Sequence, residues 1–356
     1  MTPVMNLFLR ALVALALMLV LWSLADYTLA ATPVETVHNA LEPFGPQGGH
    51  FVDLWRVFLA ACTLVFVAIL VAVFLALRRA PRAGESTPAD LSMVNRPEPM
   101  LKRQVGRAVA ASALALVALV AASVFTDRAM ARMSLANAVH VELTGHMWWW
   151  TVRYTDGADV HDIFTTANEM HIPVGRPVII KLNSDDVIHS FWVPSLAGKK
   201  DLIPGRTALV NIRADQAGIY RGQCAEFCGL EHALMGLLVI AETQDKFDQW
   251  AASQRSAAAE PGDATAQRGK QVFQSSSCAM CHSIQGADFA GAQHAPDLTH
   301  VASRQTLASG TLKNTREDMA AWIRNPQTFK PGTAMPATTL SQEDLDAVVA
   351  YLGGLK

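Results

Sequence analysis

Two uncharged apolar runs constrain this chain more than anything else in it: residues 57–77, 21 in number, and residues 108–126, 19 in number. Each is close to the roughly 20 helical residues that cross a hydrocarbon core. A buried soluble hairpin seldom keeps such lengths free of charge. Between the runs, residues 78–107 carry seven Arg or Lys against three acidic residues. Basic loops stay on the cytoplasmic side, so the reading is a transmembrane hairpin with everything after Thr126 outside. Upstream, Arg10 precedes a shorter apolar run over 11–25, which has the length of a signal-peptide core. A signal removed near Thr28 or Ala30 is the expectation and a retained anchor the alternative; both leave residue 40 on the outer side. The expected organisation is a signal peptide over 1–30 and a hairpin over 31–137, with spans near 55–77 and 108–126 and a cytoplasmic loop over 78–107. A sheet domain over 138–245, a helix end and linker over 246–266 and a C-terminal domain over 267–356 follow.

Beyond the hairpin, short β-type runs occur at 139–143, 148–154, 178–182, 191–193, 208–212 and 237–241, broken by turn residues. Such spacing reads as an antiparallel sandwich. The loop before its last strand holds Cys224, Cys228, His232 and Met235 within twelve residues. Soft thiolate and thioether donors with imidazole select copper, and a long methionine bond tunes a copper potential. Tetrahedral zinc, which Cys2His2 also suits, is the alternative, although it gives Met235 no role. With a further histidine upstream, two coppers can share the two sulfurs. Asp185 and Asp186 form either part of an acidic docking surface or a solvated turn. Trp148 and Trp150 fall on one face of a strand and Trp149 on the other, and core packing accounts for at least one of the three. His140, His146, His161 and His171 have no clustered partners and read as structural or exposed.

Residues 251–266 are rich in Ala, Ser, Gln, Pro and Gly and read as a linker, with an r.m.s. span of roughly 20 to 24 Å. It tethers the C-terminal domain near the copper loop without fixing it. In that domain, Cys278, Cys281 and His282 make C-x-x-C-H, the attachment signature of covalent c-type haem; a redox disulfide or zinc knuckle is the alternative. Helices are expected around 267–274 and 319–324, and Ser341 with Asp344 reads as a capping box opening a last helix. Met335, on a Pro and Gly loop about 50 residues after the motif, is the candidate second axial ligand, since methionine there raises a haem potential. Met280 cannot easily bend back to its own haem, and Met319 faces helix packing.

The loop C-x-E-x-C-G-x-x-H-x-x-M, with the segment around His189, resembles the CuA loop of cytochrome c oxidase subunit II, and residues 267–356 are similar to a class I cytochrome c domain. The resemblance covers roughly 40–356. It implies a cupredoxin fold in which Cys224 and Cys228 bridge two coppers, His189 and His232 bind one each, and Met235 and the Glu226 carbonyl are weak ligands. The Glu226 side chain then binds a magnesium ion at the boundary with subunit I. Trp148 lies exposed above CuA as the electron-receiving residue, while Trp149 stands where the family usually has tyrosine. Pro296 orients His282. Residues 199–206 run along the subunit I boundary.

The expected fold class is thus mixed: a two-helix transmembrane hairpin, an all-β cupredoxin-like sandwich and an all-α class I cytochrome c domain. The implied function is electron transfer from cytochrome c or a similar donor through haem c and CuA to subunit I. Oxygen is reduced and protons are pumped in that subunit. Subunits I and III and membrane lipid are the implied partners. The implied location is a bacterial-type inner membrane, multi-pass, with both metal domains on the periplasmic side. The copper-bearing subunit of a nitric oxide reductase and a copper-storage or copper-delivery protein are the competing readings; a quinol oxidase subunit lacks these copper ligands. The net charge of −2 says little, and no nucleic-acid partner is expected. The fifth cysteine, Cys62, sits in an apolar run as a small hydrophobe.

Overall fold

The computed structural model describes residues 35–79, 84, 87–88, 98–156, 163–287 and 294–356. The expected signal peptide, half of the basic loop and His161 lie outside the described residues. Pro46 opens helix α1 (Pro46–Arg79), where the fixed φ of proline suits the first turn. Arg78 and Arg79 close it, complementing the negative end of the helix dipole. Helix α2 (Glu98–Ala131) returns alongside. Among the described residues these two are long and apolar enough to cross a membrane, and no described residue buries their apolar stretches. The head of α1 is tied to the sheet domain through Gly48 N, which donates to Leu196 O at 2.9 Å, and Gln47 Nε2, which donates to Asn211 Oδ1 at 3.1 Å.

The sheet domain contains β1 (Val139–His146), β2 (Trp149–Tyr154), β3 (Phe164–Ala167), β4 (Glu169–Pro173) and β5 (Val178–Ser184). It continues with β6 (His189–Trp192), β7 (Lys200–Leu202), β8 (Ala208–Ile212), β9 (Gly218–Cys224) and β10 (Gly236–Glu242). One sheet has the order β3-β2-β1-β5-β8 and the other β4-β10-β9-β6-β7. The alternation read from sequence becomes a shared core: Val139, Val141 and Leu143 of β1 and Val178, Ile180 and Leu182 of β5 are all buried. Each such side chain contributes about 1.5–3 kcal/mol.

The sandwich is not purely antiparallel, because β1 pairs with β5 and β4 with β10 in parallel. Of the ten strands, β3, β4, β7 and β9 escape the sequence reading: β7 has three residues, β4 ends in Pro173, and β9 is interrupted by Gly222 and Arg221. Trp148 lies in the turn between β1 and β2 rather than on a strand beside Trp150. Trp150 is core, and Trp149 stacks on His146 with centroids 4.2 Å apart.

Helix α3 (Gln244–Gln254) follows, its Trp250 stacked on His171 at 4.0 Å. The C-terminal domain is built from α4 (Ala264–Ser275), the hairpin β11 (Thr306–Leu307) and β12 (Leu312–Lys313), α5 (Arg316–Arg324) and α6 (Gln342–Leu352). Ser341 caps α6 by accepting from Asp344 N at 3.1 Å. Helices α4 and α6 cross closely, and a Cβ at Gly269 would fall 2.0 Å from Ala347 O. Around that crossing pack Phe273, Leu345, Val348 and Leu352. The linker is less free than its composition suggests. Ala258 N donates to Gln285 O at 2.9 Å and His300 Nε2 meets Ser256 O at 3.0 Å, laying the segment along the domain it connects.

Candidate metal and haem sites

Strands β6 and β9 pair through Phe191 and Cys224, which brings His189 beside the start of the cysteine loop. The loop is closed at its base, where Cys224 N donates to Met235 O at 3.0 Å and Ala225 N to Ser190 O at 2.9 Å. A 3-10 turn at His232–Leu234 folds its second half inward. The two sulfurs lie 3.7 Å apart. His189 Nδ1 is 3.8 Å and Glu226 O 3.1 Å from Cys224 Sγ. His232 Nδ1 is 3.6 Å and Met235 Sδ 3.8 Å from Cys228 Sγ. All six residues singled out from the sequence therefore meet, with His189, Cys224, Cys228 and Met235 buried.

Two thiols this close share their ionisation. The hydrogen bond with Cys228 and, behind it, those with His189 and the loop amides draw Cys224 down, whereas the same contact and burial push Cys228 up. His189 is oriented from behind, its Nε2 lying 2.7 Å from Asp186 Oδ1, which leaves Nδ1 facing the sulfur. Metal-binding histidines are commonly fixed by such a carboxylate. Burial works against the Asp186 carboxylate, but bonds from His189, Val187 N and Met147 N hold its pKa below the usual value. Asp186 is thus a support for His189, and Asp185 pairs with His146 at 3.3 Å. The Glu226 side chain turns out to the surface, 3.5 Å from Lys199 Nζ.

Trp148 differs most from expectation. Its indole N–H donates to Cys228 O at 2.8 Å, yet only 8% of the residue is exposed. The C-terminal domain covers it. Lys330 Nζ and Ser309 Oγ donate to Trp148 O at 2.7 and 3.0 Å. A side chain at Gly332 would begin 3.1 Å from Leu230 Cδ1 and 3.9 Å from the Trp148 ring. Lys330, Ser309, Asn168 and Glu169 were not singled out from the sequence, where each is an isolated polar residue.

In the C-terminal domain, Cys278 lies on a 3-10 turn, Ser277–Met280, and Cys281 caps its end; both are free thiols. His282 N donates to Cys278 O at 3.0 Å. His282 Nδ1 lies 2.7 Å from Pro296 O, so Nε2 is the nitrogen available to a metal. Burial lowers the pKa of this imidazole, favouring the neutral form that ligation needs. Met335 is half-buried and packs on the same core cluster as Cys278. Met280 is 66% exposed, and Met319 is buried within α5. Arg304 is buried with its Nε lacking a partner among the described residues, a donor suited to an anionic group. These residues fit a haem attached through two thioethers.

Residues 161–242 match the family model described as cytochrome C oxidase subunit II, periplasmic domain, and residues 266–356 match that of cytochrome c. The cytochrome c oxidase subunit 2 of Alkalihalophilus pseudofirmus is 35% identical over 329 residues, 89% of this chain and 91% of that protein. That of Bacillus subtilis is 30% identical over 230 residues, 62% of this chain and 63% of its own length. A solved periplasmic domain of subunit II of cytochrome oxidase from Bradyrhizobium japonicum is 28% identical, covering 34% of this chain and 97% of its own, with a TM-score of 0.32. The chain belongs to the cytochrome c oxidase subunit 2 family, as a membrane-bound electron-transfer subunit that works in a complex with the other subunits of a haem–copper oxidase.

Proposed function

We propose that Cys224 and Cys228 bridge a binuclear copper centre, with His189 and His232 binding one copper each and Met235 and the Glu226 carbonyl as weak ligands. Cys278 and Cys281 hold haem c covalently, with His282 and Met335 as its axial ligands. When bound, these groups supply one-electron redox chemistry, from cytochrome c or a similar donor to haem, to copper and on to subunit I. The protein's part is to hold donor atoms and exclude water. Cys228 carries the Trp148 bond on its carbonyl, so the indole is the proposed route between the domains. The Glu226 carboxylate is left for a magnesium ion at the subunit I boundary. Subunit III is a further proposed partner. The chain would cross the inner membrane twice, with both metal domains periplasmic.

The observation that carries this reading is the distribution of donors over two sulfurs: one imidazole beside each, the carbonyl beside Cys224 and the thioether beside Cys228. A single tetrahedral zinc takes four donors, whereas six stand here, counting a sulfur pair 3.7 Å apart. Relatives named as cytochrome c oxidase subunits favour oxygen over nitric oxide as the final acceptor. Electron paramagnetic resonance of the oxidised protein tests the centre. Hyperfine splitting spread over two copper nuclei, with two coppers per chain by metal analysis, is expected; splitting from one nucleus with one copper refutes the bridge.

A further inference from the structure

Metal binding does not explain why two ionisable side chains cross the boundary between the copper and cytochrome domains in opposite directions. Glu169 of β4 is 2% exposed. Its Oε1 accepts from Gln305 N at 2.8 Å, Thr306 N at 2.9 Å and the Thr306 hydroxyl at 3.2 Å. Lys330, from the other domain, is 3% exposed and donates to Trp148 O at 2.7 Å and Leu234 O at 3.0 Å. Between them, Ser309 Oγ lies 3.0 Å from both Trp148 O and Asn168 Oδ1, which share its single proton, and Gly236 N donates to Ser309 O at 3.0 Å. Ala308 and Ser309 hold left-handed φ values of 51° and 57° at the hairpin tip, a conformation disfavoured outside glycine and used here to present these groups.

Buried polar groups are costly unless paired. These partners meet in one register only: displacing either domain by a residue strands a carboxyl and an amine in the interface together with the amides and carbonyls they satisfy. Buried polar contacts of this kind fix an arrangement more than they add affinity.

We propose that the cytochrome domain is seated on the copper domain in a single fixed register, set by Glu169 and Lys330 as positioning residues, and that Trp148 is thereby closed to any soluble protein donor. Outside electrons then reach copper only by way of the cytochrome domain. That consequence rests on the relay proposed above, while the fixed seating does not.

Amide exchange on the full chain, loaded with copper and haem in mild detergent, tests the seating. Gly236, Gln305 and Thr306, whose amides are bonded across the boundary, should exchange at least about a hundredfold slower than a free peptide. Glu169→Ala should speed all three together by about tenfold or more, because it strands two amides and a hydroxyl. Glu169→Gln keeps an acceptor oxygen and should hold them slow. Gly236→Ala attacks from the other side, its methyl starting 2.7 Å from Ser309 O, and should speed Gln305 and Thr306 although it touches neither bond. Photoreduction of the haem, followed at the copper absorption, adds a second readout: a rate unchanged by glycerol in the unaltered chain and slowed by it in Glu169→Ala. Fast exchange at the three amides of the unaltered chain overturns the seating. So does a Glu169→Ala effect confined to Gln305 and Thr306. Copper and haem content of the same samples separates the two claims, since slow boundary amides in a chain that binds neither group keep the seating and remove the relay.

Discussion

Lys330 ties the contact between the two domains to pH. Burial is the main force on its ammonium, with the electrostatic pull of Glu231 and then Cys228 opposing, and the outcome is a pKa pulled from 10.5 to about 8. A cation that holds its proton less tightly in the docked state weakens docking wherever both states are charged. Below about pH 8, seated and separated domains both carry the proton and docking bears the full desolvation cost. As pH rises from about 8 toward 10.5 the seated amine releases its proton first and that cost is relieved; above 10.5 both states are neutral. The gap is worth up to about 3 kcal/mol, so the constant for domain separation should fall by roughly two to three powers of ten across the window. Exchange at Gly236, divided at each pH by the intrinsic rate of an unstructured peptide, reads this constant. Lys330→Met removes the titrating group and should leave the curve flat. A separation constant that does not change over the window in the unaltered chain, or a Lys330→Met variant that still shows the fall, refutes desolvation of Lys330 as the cause.

Met335→Ala should leave haem attached through Cys278 and Cys281 while abolishing the near-infrared methionine-to-iron band and lowering the potential; survival of the band would exclude Met335 as ligand. Met235→Leu should keep both coppers bound but shift their potential, as expected of a weak ligand, which potentiometry would show. Asp186→Ala removes the bond that orients His189, and losses of this type weaken metal affinity by about ten- to a hundredfold, measurable by competition with a chelator. Gly269→Ala forces a methyl against the Ala347 carbonyl of α6 and should destabilise the cytochrome domain by about 3 kcal/mol, seen as a lowered unfolding midpoint.

What could be read from the sequence is what depends on local spacing. Cys224, Cys228, His232 and Met235 lie in one loop whose ends are pinned to neighbouring strands, so their offsets already limit how they converge. His189 could be added only through the resemblance, because its place beside Cys224 depends on β6 pairing with β9, a contact between segments more than thirty residues apart. The apolar spans and the C-x-x-C-H site are equally local. Strand β9 was missed because its half-buried positions carry Arg221 and Gln223 and its buried face includes Gly222, leaving little apolar alternation to detect in the sequence. Exposure of Trp148 was implied by the resemblance alone, and nothing near it in sequence reports its cover. Its cover comes from Ser309 and Lys330, 161 and 182 residues away. A lysine before Pro331 and a serine after Ala308 have no periodicity or motif to mark them as interface residues. Their significance comes from the carbonyl of Trp148, which both groups reach when the domains meet. Composition treated residues 251–266 as a loose tether for the same reason: it reports the chain's own propensity, whereas the seating depends on polar partners supplied by Glu169, Trp148, Leu234 and Gly236 on a different domain.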